Sequence, residues 1–235
     1  MLELTIYRKV EYMQKTSSKH YDFYYLKGSI AERDVNKIVS LQEKCYEDIC
    51  NVLNIRPKIR IKYYLLDTPE LVGEIYGDNE PCNGFACPPN KIYAVYNDKI
   101  KCVGYHEDVH ILSYTINRPK SNFIREGLAM YFDKFWWDKT NEEWIRLYLK
   151  ENKYVEVSKL LSNDIFFNYS DSVTYPIAGA FTKFLIDYYG IQKYILLYKY
   201  TGEDFIKRIE MIYGEKVEDI EKSFILSLLT RITNV

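Results

Sequence analysis

Long apolar runs are missing from this chain. No stretch approaches the about 18 uncharged residues that a membrane-spanning helix needs, so no span is expected. Residues Met1 to Gln14 contain no apolar segment of the kind a secretory leader carries, so none is expected there. Blocks of like charge are missing too, and the formal net charge is −1. That removes support for binding to nucleic acid or to a membrane surface. Cysteine is scarce: Cys45, Cys50, Cys82, Cys87 and Cys102 are odd in number, and no two are spaced C-x-x-C. The expectation is reduced thiols in a cytoplasmic protein, with a Cys82–Cys87 bridge across a tight bend as the alternative. Histidine occurs only three times. There is no internal repeat and no low-complexity linker.

The composition that remains is that of a folded protein. Apolar residues make up 47% of 235, enough for one domain or two closely packed subdomains. The aromatic stretch His20 to Leu26 reads as a strand. From Ala31 to Leu53 the apolar residues follow a helical period. Lys58 to Leu66 alternates at its start and reads as a second strand. Asp67-Thr68-Pro69 is a helix-start signal, followed by a short helix to Ile75. Two strands, Asn83–Cys87 and Lys91–Tyr96, flank a Pro-Pro-Asn turn, and the first is a plausible sheet edge. A helix is expected from about Lys99 to Ile116, ended by Asn117-Arg118-Pro119. Another runs from Phe123 to about Trp136, with Ser121 or Asn122 as cap. Helices then cover about Asn141–Glu151, Thr174–Tyr189, Ile191–Tyr200, Glu203–Tyr213 and Val217–Thr230, with Gly190, Gly202 and Gly214 at their ends. Strands before residue 117 and helices after it predict an α+β fold. Its two parts are an N-terminal subdomain over 1–117 and a helical one over 118–235.

Two of the three histidines sit in one motif, His106-Glu107-Asp108-Val109-His110, which reads H-E-x-x-H. With this chain's His and Glu frequencies, the pattern arises in about 0.003 of shuffled copies. On a helix, positions i and i+4 share a face, so both imidazoles can meet one ion. Glu107 beside them can reach a water on that ion and act as general base. Asp108 is unusual, because the helix bearing such a motif is buried. A charge there needs a partner or a route to solvent. His20 has no metal motif near it and reads as structural. A catalytic zinc takes three protein ligands and keeps one position open. Glu126, within Ile124–Phe132 and 16 positions past His110, fits the third ligand on a segment packed against the motif helix, and Gly127 beside it allows close approach of those two helices.

H-E-x-x-H followed by a helix carrying E-G-x-A resembles the gluzincin metallopeptidases, the clan of thermolysin and the zinc aminopeptidases. The nearest resemblance is to the peptidase-MA-like group of bacterial proteins. It runs from about His20 to the C-terminus and is specific at His106–His110 and Arg125–Ala129. It implies a zincin-like fold, with a small mixed or antiparallel sheet, an active-site helix in the N-terminal half and a helical C-terminal half. It implies Zn2+ held by His106, His110 and Glu126, with Glu107 as general base in hydrolysis of a peptide or protein substrate. Asn83-Gly84-Phe85-Ala86 resembles the thermolysin edge strand that holds substrate backbone, which carries that role to Asn83 and Gly84. Thr174 to Ala180 resembles the aminopeptidase segment whose tyrosine binds the tetrahedral intermediate, which carries that role to Tyr175. The glycine there, Gly179, falls one position late.

There are departures as well. No Gly-Ala-Met-Glu-Asn stretch points to an aminopeptidase. Met130 stands where thermolysin has an aspartate orienting a zinc histidine, so that partner comes from elsewhere, with Asp133 or a backbone carbonyl as candidates. Two alternatives stand beside the peptidase: a zincin-fold protein that binds peptide without cleaving it, and a helical interaction protein with no metal.

Overall fold

A computed structural model describes residues 13–230 of the chain. It is an α+β protein with eleven helices among the described residues and a small mixed sheet. Contacts divide the chain into two compact units, Met1–Leu112 and Ser113–Val235.

The first unit is built on a five-stranded sheet. Strands β1 (Gln14–Ser17), β2 (Tyr21–Tyr25), β3 (Ile61–Leu66), β4 (Gly84–Cys87) and β5 (Lys91–Val95) lie in the order β1-β2-β3-β5-β4. The pairs β2–β3 and β3–β5 are parallel; β1–β2 and β4–β5 are antiparallel. Alternation puts Tyr21, Phe23, Ile61, Tyr63, Ile92 and Ala94 on one face, all essentially buried. Helix α1 (Ile30–Leu53) shares that core. Its buried positions Ala31, Asp34, Ile38, Gln42, Cys45, Ile49 and Leu53 recur every three or four residues. The Ser29 hydroxyl caps its start by accepting from the Glu32 amide, and Asn54 ends it in the left-handed region.

The other sheet face carries an in-register aromatic row. Tyr24, Tyr64, Tyr93 and Phe85 are successive cross-strand partners, with ring centroids 4.7, 4.7 and 5.0 Å apart and near-parallel planes. Part of this face meets α2 (Pro69–Tyr76), whose Val72 packs with Leu66 and Val95. The edge position expected for the Asn83–Cys87 segment is observed: β4 ends the sheet.

One element departs clearly from expectation. The helix predicted over Lys99–Ile116 is only α3 (His106–Ser113). Residues before it continue the sheet instead. Asn97 Oδ1 accepts from the Lys99 and Ile100 amides at 2.9 and 2.8 Å, turning the chain so that Lys101 bridges back to Tyr96. Gly104 at φ +139° then makes the bend into the helix.

The second unit is helical. Helix α4 (Asn122–Asp133) crosses a long helix, here α8 (Asp171–Tyr189), after α5 (Asn141–Lys150), α6 (Val157–Leu160) and α7 (Asn163–Phe166). The chain closes with α9 (Ile191–Tyr198), α10 (Phe205–Tyr213) and α11 (Val217–Thr230). Helix α4 stops short of Trp136, because Lys134 turns left-handed and Phe135–Trp136 pairs with Lys139–Thr140 as hairpin β6–β7. Ser121 takes the N-cap position of α4, but its hydroxyl donates to Leu161 O; the Asn122 amide is satisfied by Asn163 Oδ1. Helix α9 ends at Tyr198, ahead of Gly202.

The crossing of α4 and α8 depends on two glycines. A Cβ on Gly127 would meet Thr182 Oγ1 at 2.4 Å and Ala178 O at 2.9 Å. A Cβ on Gly179 would meet Asn141 Nδ2 at 2.5 Å and Met130 Cβ at 2.6 Å. Pro176 lies inside α8 and cannot donate to Ser172 O, four residues back. Tyr148 supplies the missing donor through its hydroxyl. Among the described residues no helix is long and apolar enough to cross a membrane.

Candidate metal centre

His106 and His110 lie one turn apart on α3, with ring centroids 5.1 Å apart and the rings edge-on. Glu126 is in the first half of α4. One ligand atom from each of the three residues lies within 4.8 Å of the others, so the group could hold one metal ion. It is the one such group of His, Cys, Asp and Glu found among the described residues. His110 is buried, while His106 and Glu126 are half-buried. Donors around one tetrahedral zinc sit about 3.4 Å apart, from bond lengths of about 2.1 Å.

Glu107 follows His106 in the first turn of the helix. Asp108, fully buried, has the partners its position demands. Its Oδ2 lies 2.5 Å from the Tyr21 hydroxyl and accepts from Gln42 Nε2 at 2.9 Å. Burial pushes its carboxyl well above the usual carboxylate range, against the bonds from Tyr21 and Gln42 and with the Glu107 charge adding to the rise. The Tyr21 and Gln42 side chains give the buried carboxyl the hydrogen-bond partners that its position calls for. Asp108 Oδ1 and Gln42 Oε1 are both buried without a hydrogen-bond donor. Neither partner was readable from the motif. Gln42 is 66 residues away and Tyr21 is 87, and nothing in their local sequence marks them.

Asn83 and Gly84 lead into β4, and the Asn83 carbonyl accepts from the Val95 amide at 2.8 Å. Gly84 has no room for a side chain: a Cβ there would meet Cys102 Sγ at 2.8 Å. Cys82 Sγ donates to Gly84 O at 3.2 Å. Burial raises the Cys82 thiol pKa, the backbone bond opposes that rise, and the Glu107 charge adds to it. No disulfide joins the described cysteines.

Tyr175 lies in the second turn of α8 with its ring 5.3 Å from Trp136 and 6.2 Å from Phe166. Asp133 is the last residue of α4, about two turns past Glu126. His20 is structural, as expected: Nδ1 sits 2.5 Å from Glu43 Oε2 and the ring stacks on Tyr46 at 3.8 Å. No family model matches the chain, and no curated protein matches it significantly.

Proposed function

We propose that this protein is a zinc-dependent peptidase of zincin-like architecture, with His106, His110 and Glu126 as metal ligands and a peptide or protein as substrate. The observation that carries the reading is the mutual approach of those three donors within 4.8 Å, next to Glu107 in sequence. Two imidazoles and a carboxylate are a donor set suited to zinc rather than to calcium or magnesium, which prefer oxygen throughout. Bound there, zinc would polarise a carbonyl and bring the pKa of a coordinated water toward ~7.

The chain's own residues do the rest. Glu107 takes the proton of the attacking water and hands it to the leaving amine. The open edge of β4, entered through Asn83 and Gly84, pairs with substrate backbone. The Tyr175 hydroxyl donates to the developing oxyanion.

Two measurements test this on the purified full chain. Elemental analysis is expected to find about one zinc per chain, in line with one three-ligand site, and a peptide-library digest is expected to show cleavage. Glu107→Gln should keep the zinc and lose roughly 10²–10⁴ in turnover. A fully active Gln variant would remove Glu107 as the base. A protein without zinc would remove the metal centre. Zinc without cleavage would leave a peptide-binding protein.

A further inference from the structure

The helix that bears His106, Glu107 and His110 spans eight residues. Isolated helices shorter than about 12–15 residues are marginal in water, so this one must be held by its surroundings. Two features make the problem acute. The chain enters it through the bend at Gly104. It also carries two ligands whose distances to a metal tolerate only about ±0.2 Å.

The side chains that grip this entry come from α1 and β2. Gln42 Nε2 donates to Gly104 O at 3.0 Å and to Asp108 Oδ2 at 2.9 Å. The Tyr21 hydroxyl stands 2.5 Å from the same Oδ2 and 3.1 Å from the Gln42 carbonyl oxygen. A little further out, the Tyr105 hydroxyl donates to Asp48 Oδ2 at 2.7 Å. Tyr21, Gln42 and Asp108 are all fully buried. Asp108 is two residues from each histidine, or about 200° around the helix, so it faces away from the ligands. The helix is therefore held from behind.

We propose that Gln42 and Tyr21 are positioning residues for the metal centre, acting through Asp108 and the Gly104 carbonyl to fix the rotation and register of the ligand helix. An apolar residue at 108 would bury as well but would tolerate a slide or twist of the helix. Directional bonds to one carboxyl oxygen do not. Gln42 ties the bend residue Gly104 and Asp108 inside the helix to a single amide, so bend and helix cannot move independently. This explains why a carboxyl occupies a motif position that normally holds an uncharged side chain.

The proposal rests on the metal-centre reading above, and one experiment separates the two. Zinc affinity is measured on the full chain by competition with a chelating dye, alongside thermal melts by circular dichroism. The proteins are wild type, Tyr21→Phe, Gln42→Met and Tyr154→Phe. The last removes a hydroxyl that bonds Glu221 in the second unit, and controls for loss of stability alone. At a temperature where all are folded, Tyr21→Phe and Gln42→Met are expected to bind zinc about 10–100-fold more weakly, as loss of supporting partners commonly does. Their cobalt(II) derivatives should show altered visible absorption, while Tyr154→Phe binds like wild type. Folded Tyr21→Phe with zinc affinity within about twofold of wild type, far short of the expected loss, overturns the proposal. Tyr21→Phe keeps the ring that fills the core, so it decides alone should Gln42→Met not fold. Wild-type protein that takes up no zinc withdraws the metal centre itself, and the positioning role with it.

Discussion

Glu221 shows at the residue scale how this protein treats a carboxyl it has buried. It is 6% exposed and accepts from the Tyr154 hydroxyl at 2.6 Å and the Val157 amide at 2.8 Å. Burial raises its pKa above the ordinary glutamate value, those two bonds pull against the rise, and Glu156 and Glu218 add to it. The folded chain thus keeps a proton over a pH range where the unfolded chain has released it, so stability from this site falls as pH rises through that range. Glu221→Gln should gain on wild type as pH rises from the ordinary glutamate pKa toward neutrality, read as the difference in urea midpoints at each pH. A constant difference would contradict it. At the proposed metal centre, His110→Ala removes one of three ligands from a buried position. Zinc measured by elemental analysis should fall to near background.

At the scale of elements, the α4–α8 crossing in the second unit is tightly constrained. Gly127→Ala forces a Cβ to within 2.4 Å of Thr182 Oγ1 and 2.9 Å of the Ala178 carbonyl. Overpacking of this kind costs about 1–3 kcal/mol, while the helix-propensity gain from Gly to Ala is about 1 kcal/mol. A net loss is expected in urea denaturation. The crossing also marks how far the sequence could be read. The amphipathic period of α1 was legible, because it is a local signal; the helix that Gly127 meets was not, since the expected neighbour was the motif helix and the close contact is with Ala178 and Thr182 of α8. The length of α3 was not: Ile100 and Val103 continue an apolar pattern into the motif, and only the Asn97 turn and the Gly104 bend break it. Hairpin β6–β7 was hidden because each strand is two residues long and its turn places Trp137 at φ +56°. The two histidines of the group that could hold a metal ion were legible from spacing alone. The partners of Asp108 were not, because side chains 66 and 87 residues away leave no trace in the motif.

For the whole molecule, the proposed ligand group is drawn from residues 106, 110 and 126, and zinc should bind the native chain far better than the unfolded one. Zinc at about 100 times its Kd should add about 2.7 kcal/mol of stability. A chelator should lower the melting temperature of wild type and leave that of His110→Ala unmoved. The two units can also be watched separately. All three tryptophans, Trp136, Trp144 and the exposed Trp137, fall in the second unit. Tryptophan emission therefore reports on that unit alone. The first unit has the stacked row Tyr24–Tyr64–Tyr93–Phe85, whose rings are close and parallel enough for their electronic transitions to couple. The row gives the sheet an optical signature of its own, in the near-ultraviolet circular dichroism of tyrosine.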